Sequence, residues 1–234
     1  MKTFFLNDLN NNAGDTLSKP ILEFFGVDVK LVDRNEQGKL LAVGSVISAL
    51  RKNDVVWGTG AMRDKKIVAP AGVRFLAVRG PKTRALISGA QVPEVYGDPA
   101  ILLPLIYQPK VEKTHVVGYL PHYVDKQIVM TKYAVAPGIS KIIDIQTPWQ
   151  NVVKEVLSCE KIISSSLHGI IIAEAYGIPV VWEKYSDGII GGDFKFQDYF
   201  LGTGRSEQKK GEVLPPLNNL FWLQTQLLNA LKQL

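Results

Sequence analysis

Residues 161–182 read KIISSSLHGIIIAEAYGIPVVW. Residues 161–164 are a short apolar run of strand length that ends in serines. Residues 167–176 are apolar almost all the way round a helix, and Gly177 stands where a helix is closed by glycine. Residues 179–182 are a second apolar run. Strand, buried helix and strand in succession make a parallel βαβ unit.

The same alternation runs outward in both directions. Before it, residues 2–6, 29–32, 40–43, 54–58 and 74–79 read as strands. Helices are expected from Gly14 to about Phe25, from Gly44 to about Leu50, and over 81–88. Pro81 stands just inside the start of the last and Gly89 just past its end. A polar stretch, 107–113, contains Pro109 and reads as a linker. A second series follows, with strands at 114–119 and 141–144, a strand or helix at 128–130, a helix over 147–158, and an amphipathic terminal helix over 217–234. The expectation is an α/β fold of two Rossmann-like lobes facing a cleft. The N-terminal lobe covers 1–108 and the C-terminal lobe 112–234 with the terminal helix. Ligands of such folds bind beyond the carboxyl ends of the strands. There is no internal repeat, and the only biased segment is the short run Asn10–Asn12.

The chain has 234 residues, 46% hydrophobic and 21% charged, with one cysteine. That composition excludes intrinsic disorder, a collagen-like repeat and a disulfide scaffold. Cys159 alone makes no internal disulfide and reads as a small buried residue of a reducing compartment. The apolar run Phe4-Phe5-Leu6 is too short for a signal peptide. The apolar stretch 167–182 is interrupted by His168, Glu174, Gly177 and Pro179 and does not read as a membrane span. A cytoplasmic chain is expected. The net charge of +5 and pI of 9.1 come without a dense Lys/Arg run. That is a solvated surface rather than a nucleic-acid footprint, compatible with an anionic substrate or an anionic membrane face.

The chemistry is expected where the strand at 161–164 turns into its helix. Ser166 is the N-cap, which puts His168 in the first turn, at the exposed mouth of the site. Free N–H groups and the positive end of the helix dipole suit a phosphate there, and a histidine beside it suits proton transfer. The three serines lack the nucleophile-elbow pattern of a hydrolase. Asp15, at the first strand–helix junction, either caps its helix or binds acceptor hydroxyls. Gly58 and Gly60 allow close backbone approach. His122 follows the first strand of the second series, which places it at the cleft. His115 starts that strand and reads as structural, and Asp98 reads as a turn residue before Pro99.

The ordered set GDTL, WGTG, RGPKTR, YGDPAILLP, SSSLHGIIIAEAYGIP and FKFQDYF resembles the polysaccharide pyruvyl transferase family, over about residues 7–204. The resemblance implies a fold similar to B-type glycosyltransferases and no metal or other cofactor. It implies transfer of pyruvate from phosphoenolpyruvate to a sugar, as a cyclic ketal across two hydroxyls. Arg79 and Lys195 match family positions that the resemblance makes donor-binding. By its place His168 is the expected general acid–base residue, Ser164, Ser165, Ser166 and Leu167 are expected to bind the donor, His122 the donor or the acceptor, and Asp15 and Gly60 the acceptor. Arg84 and Lys184 are competing cations. Many members carry an arginine two residues before the motif histidine, where this chain has Ser166, so serine hydroxyls and backbone N–H groups are expected to meet the donor's charge. The chain is also short for the family, with its trimming between Asp125 and Lys141. The partners implied are phosphoenolpyruvate and a sugar acceptor, expected to be a lipid-linked oligosaccharide, with no nucleic acid. Contact with the inner membrane face and a homo-oligomer are compatible with this. Two alternatives stand beside it: a B-type glycosyltransferase using a nucleotide sugar, for which Glu174 or Glu183 would hold the ribose, and a non-catalytic glycan-binding subunit.

Overall fold

A computed structural model describes residues 1–6, 12–133 and 137–234. The Asn10–Asn12 run therefore lies mostly outside the described residues. In chain order the elements are β1 (Lys2–Phe4), α1 (Ala13–Thr16), α2 (Ser18–Phe24), β2 (Lys30–Leu31), β3 (Leu40–Leu41), β4 (Val55–Trp57), β5 (Ile67–Val68), β6 (Arg74–Ala77), α3 (Pro81–Leu86), β7 (Ile87–Ser88) and α4 (Leu103–Ile106). They continue with β8 (His115–Leu120), α5 (Lys126–Lys132), β9 (Ser140–Ile142), α6 (Trp149–Leu157), β10 (Cys159–Ser164), α7 (Leu167–Ala175), β11 (Val180–Trp182), α8 (Phe194–Gly202) and α9 (Leu220–Leu231).

Two larger sheets carry the fold, and every pairing within them is parallel. The first has the order β2-β1-β3-β4-β6 and the second β9-β8-β10-β11. This is a mixed α/β architecture consistent with a Rossmann-like fold. In each sheet the first strand in sequence lies between the second and the third. The chain therefore reverses its winding between β1 and β3, and again between β8 and β10. Crevices form at such reversals, beyond the carboxyl ends of the strands. A short parallel pair, β5 with β7, is an addition that the expected helix over 81–88 did not contain: the helix ends at Leu86, and Ile87–Ser88 turn into strand.

Local chemistry explains the departures from the expected boundaries. The first helix breaks at Leu17, because Pro20 has no N–H to return to the Thr16 carbonyl. The Ser18 hydroxyl at the break instead accepts Val43 N–H at 3.1 Å. The segment after β3 forms only a 3-10 turn, Ile47–Ala49. Residues 128–130, read as strand or helix, lie within helix α5. Residues 194–202 form helix α8. Phe196, Tyr199 and Phe200 recur at helical spacing, and Phe196 and Phe200 pack on Trp182 with ring centroids 5.0 and 5.3 Å away.

One hydrophobic core runs through both sheets, from Leu17, Leu40 and Trp57 to Leu120, Ile162 and Ile171. Helix α7 is buried on every side, and the 3-10 turn Pro99–Leu102 packs against it. The last two helices cross back onto the first sheet. Trp57 Nε1 donates to Leu227 O at 2.9 Å and Gln224 Nε2 to Ile101 O at 2.8 Å, which holds α9 in place. Helix α8 is held through Asp198, whose carboxylate accepts from Arg79 Nε (3.0 Å), Thr83 N–H (2.7 Å) and Thr83 Oγ1 (2.6 Å). Gly80 permits the close approach, since a methyl group there would meet Asp198 O at 1.8 Å. Arg79 and Asp198 are both fully buried. Removing one partner of such a pair strands a charge without water. Asp198→Ala is expected to destabilise the chain by about 3–5 kcal/mol, read as a lower urea midpoint.

Candidate functional site

The two winding reversals meet at one polar cavity of about 90 Å³. From the first sheet come Leu6, Asn12 and Asp15 after β1, Ser45 after β3 and Met62 after β4. From the second come His122 and Tyr123 after β8, and Ser166, Leu167 and His168 after β10. Lys195, from the first turn of α8, completes the wall.

The local sequence explains how His168 is held. Ser166 is extended and its Oγ accepts Gly169 N–H at 3.4 Å, the N-cap of α7. The first intrahelical bond is Ile170 N–H to Ser166 O, so the N–H groups of Leu167 and His168 precede it at the positive end of the helix. His168 is only 7% exposed, a correction to the expected open mouth. Two glycines from the first sheet's loops bury it. A methyl group on Gly14 would lie 2.0 Å from His168 Nδ1, and one on Gly44 would lie 3.5 Å from Cε1. Nε2 is buried with no hydrogen-bond partner among the described residues, 3.8 Å from Asp98 Oδ2. Gly14→Ala would push the ring from this seat while leaving α1 a better helix former. It is expected to cut turnover by about tenfold to a hundredfold and to cost about 1–3 kcal/mol of stability as the buried ring is displaced, both measured on the same preparation.

Asp98 was read as a turn residue and is more than that. Its Oδ1 caps the Pro99–Leu102 turn through Ala100 N–H (3.0 Å), and Oδ2 holds Gly44 N–H (3.1 Å). The carboxylate thus fixes the loop beside His168. Sequence alone could show the cap but not the histidine behind it.

Lys195 is 6% exposed, and its Nζ has no carboxylate or hydrogen-bond acceptor among the described residues. Nζ lies 5.5 Å from the centre of the Phe196 ring. Burial, followed by the Arg79 charge, lowers its pKa to about 8, against the pull of Asp15 and Asp125. An unpaired cation in a cavity wall is a demand for an anion. His122 is lowered to about 3, first by burial and then by the Lys195 and His168 charges. It is neutral across the working range, and its Nδ1 accepts Val124 N–H at 3.3 Å. Its part at the cavity is that of a neutral hydrogen-bonding ring.

Several expected site residues lie behind the wall. Arg79 Nη1 donates to Ser45 Oγ (2.6 Å) and Nη2 to Ala61 O (2.6 Å), so it reaches the cavity only through Ser45. Gly60 makes room for it: a methyl there would lie 2.3 Å from the guanidinium carbon. Ser164 Oγ donates to Leu120 O (2.7 Å) and accepts Ser166 N–H (3.0 Å). Ser165 Oγ donates to Asp125 Oδ2 (2.7 Å) and accepts His122 N–H (3.0 Å). Both hydroxyls are committed and fully buried, which leaves Ser166 as the serine at the cavity. Asp15, in the first turn of α1, does reach it, although the cap of that helix is Asn12, whose Oδ1 accepts Gly14 N–H at 3.1 Å. Gly58 packs on Pro99, where a methyl would meet Cδ at 2.4 Å. The competitors lie elsewhere. Arg84 bonds Val92 O and Glu94, Lys184 pairs with Asp187 on the surface, and His115 bonds Thr114 at the start of β8.

A family model described as polysaccharide pyruvyl transferase matches residues 15–187. The chain belongs to the polysaccharide pyruvyl transferase family. The match takes in Asp15, Ser45, His122 and His168, and Lys195 lies beyond it. The chain is also 36% identical over 225 residues to an uncharacterized protein of Acanthamoeba polyphaga mimivirus, covering 88% of this chain and 76% of that protein. No helix among the described residues of this pyruvyl transferase family member is long and apolar enough to cross a membrane.

Proposed function

We propose that this chain moves pyruvate from phosphoenolpyruvate onto two hydroxyls of a sugar, forming a cyclic ketal and releasing inorganic phosphate. Family membership supports a transferase of this kind. The observation that carries the donor is Lys195, a buried cation without an anion, in one cavity with His168 and the start of α7.

Each residue has a task that its surroundings explain. Lys195 and the N–H groups of Leu167 and His168 hold the donor's phosphate, and Ser166 adds a hydroxyl. His168 gives a proton to the donor's methylene carbon, which becomes the methyl of the ketal. The neighbouring carbon becomes oxocarbenium-like, and the first sugar hydroxyl adds to it and gives its proton back to His168. The second hydroxyl then takes the place of phosphate at the same carbon, the C–O bond to phosphate breaks, and its proton leaves with the phosphate. Asp15 binds and orients the hydroxyls. Arg79 fixes Ser45 and adds positive charge from behind. The fold reading that goes with this is two lobes, 1–108 for the acceptor and 112–234 for the donor, similar to B-type glycosyltransferases. A cytoplasmic setting with a lipid-linked oligosaccharide acceptor goes with it too.

A nucleotide-sugar donor would want a carboxylate for its ribose. Glu174 is engaged by Arg205 and by Tyr199 Oη at 2.8 Å, and neither it nor Glu183 lines the cavity. Phosphoenolpyruvate is therefore expected to raise the melting temperature of the purified chain, with about 2.7 kcal/mol of stabilisation at a hundred times its dissociation constant. A panel of nucleotide sugars serves as the contrast. A shift with a nucleotide sugar alone that is lost in Lys195→Ala would replace this reading by glycosyl transfer, and no shift with any donor would favour a glycan-binding subunit.

A further inference from the structure

A second and larger cavity of about 620 Å³ opens beside the first and shares Leu6, Ser45 and Met62 with it. Its floor is apolar, built by Val46, Ile47 and Leu50 after β3 and by Ile67 and Val68 of β5. The loop after β11 closes one side: Gly191, at φ +84°, lies where a methyl would meet Met62 O at 1.8 Å, and this brings Ile190 to the rim. Four cations line the cavity, Arg34, Arg63, Lys65 and Lys66, and no carboxylate among the described residues does.

That asymmetry is more than the chain's overall charge requires. The sequence has 27 Lys and Arg against 22 Asp and Glu, so a random lining of four charges would mix the signs. None of the four cations makes an ion pair with a described residue, whereas cations elsewhere on the surface find carboxylates, as Lys19 does in Glu23 and Lys210 in Asp193. Arg34 is aimed by a hydrogen bond from Nη2 to Ser48 Oγ at 2.8 Å. Like charges are gathered around a concavity without an ion-pair partner among the described residues, which makes the local field positive. Such a set of flexible ammonium groups and forked guanidinium groups suits a phosphate ester, with apolar surface beneath for what the ester carries.

We propose that this cavity binds the phosphorylated end of the acceptor, so that the acceptor is a glycosyl diphosphate ester rather than a free glycan. The proposal rests on the pyruvyl-transfer reading for the word acceptor. The shared wall sets the direction. The diphosphate sits among Arg63, Lys65, Lys66 and Arg34, and the sugar extends past Ser45 and Met62 to Asp15 and His168. The diphosphate can come from a nucleotide sugar or from a prenyl carrier, and both present the same anion to the same cations.

Binding of inorganic pyrophosphate, measured by calorimetry, tests the site whatever the sugar is. Wild type is expected to bind it, and the triple substitution Arg63→Glu, Lys65→Glu, Lys66→Glu to weaken it at least tenfold. All three side chains are exposed, so the variant is expected to fold, which its melting curve reports. Phosphoenolpyruvate is titrated in parallel against Lys195→Ala. Pyrophosphate lost in the triple variant but kept in Lys195→Ala supports the proposal, whether or not phosphoenolpyruvate binds. Pyrophosphate lost in Lys195→Ala and kept in the triple variant places the anion in the small cavity and overturns it, leaving the donor reading intact. Uridine diphosphate N-acetylglucosamine and farnesyl diphosphate identify the source: the ester that binds more tightly than pyrophosphate, and loses that affinity in the triple variant, is the kind of acceptor the cavity takes. If neither ester nor pyrophosphate binds wild type, the proposal falls.

Discussion

His168→Ala is expected to lower turnover by about a thousandfold, within the range that a positioned proton carrier supplies. The reaction needs a proton delivered to carbon and another removed from oxygen, and the cavity holds one histidine able to carry both. His122, its neighbour, is held to about 3 and stays neutral. The Asp98 carboxylate lies 3.8 Å from His168 Nε2. The fold should survive the change. The imidazole is buried, but it makes no hydrogen bond through Nε2, and it rests on the backbone of Gly14. Single-turnover rates and a urea melt on the same preparation separate the two effects. A variant with wild-type turnover would remove His168 from the mechanism, and one that no longer folds would make its role structural.

Lys195→Met is expected to do two opposite things. Donor affinity should fall by about tenfold to a hundredfold, as expected on losing a charge-assisted contact in a buried site. Stability should rise. Burial lowers the Lys195 pKa to about 8 from 10.5, so holding it protonated at neutral pH costs the folded chain about 3 kcal/mol. Methionine keeps the volume without the charge. After the lost contact with the Phe196 ring, a gain of about 2 kcal/mol remains, or about 5 °C in melting temperature. The sign with pH follows from the lowered value. Below about 8 the lysine is charged in both folded and unfolded chains and the penalty is complete. Between about 8 and 10.5 the folded chain sheds the proton that the unfolded chain keeps, so the wild type becomes relatively more stable. The advantage of the methionine variant should therefore shrink across that window. Donor binding by the wild type should weaken over the same rise, as the cation disappears. Melting curves at pH 7 and pH 10, with and without phosphoenolpyruvate, check all of this. A less stable variant at pH 7 would mean that Lys195 has an anionic partner in the folded protein.

The lysine illustrates a charge placed where stability alone would put an apolar side chain. Uncompensated polar groups of this kind are a mark of binding sites, where the missing partner is the ligand. The same logic applies to the cationic lining of the larger cavity, although there exposure to water makes the cost of each charge small.

Much of this protein was legible along the chain because the deciding interactions are local. Alternating apolar runs specify parallel strands and the helices between them, since burial on both faces of a sheet leaves no room for polar alternation. The N-cap at Ser166 and the histidine two residues later depend on one turn of backbone, and they stand as read. The serines beside them show the limit. Three adjacent hydroxyls look alike in sequence, but Ser164 and Ser165 are taken up by Leu120 O and Asp125, forty or more residues away, and only Ser166 reaches the cavity. Arg79 shows it more strongly. A strand-end arginine beside a glycine reads as a ligand cation until Asp198, 119 positions later, is seen to hold it in the core. The cover that Gly14 and Gly44 place over His168, the carboxylate of Asp98 behind it and the buried isolation of Lys195 likewise come from segments that meet only when the two sheets pack. Periodicity and caps are properties of neighbouring residues and survive in the sequence. Which charge finds a partner, and which is left waiting for one, depends on contacts between distant segments that no local pattern encodes.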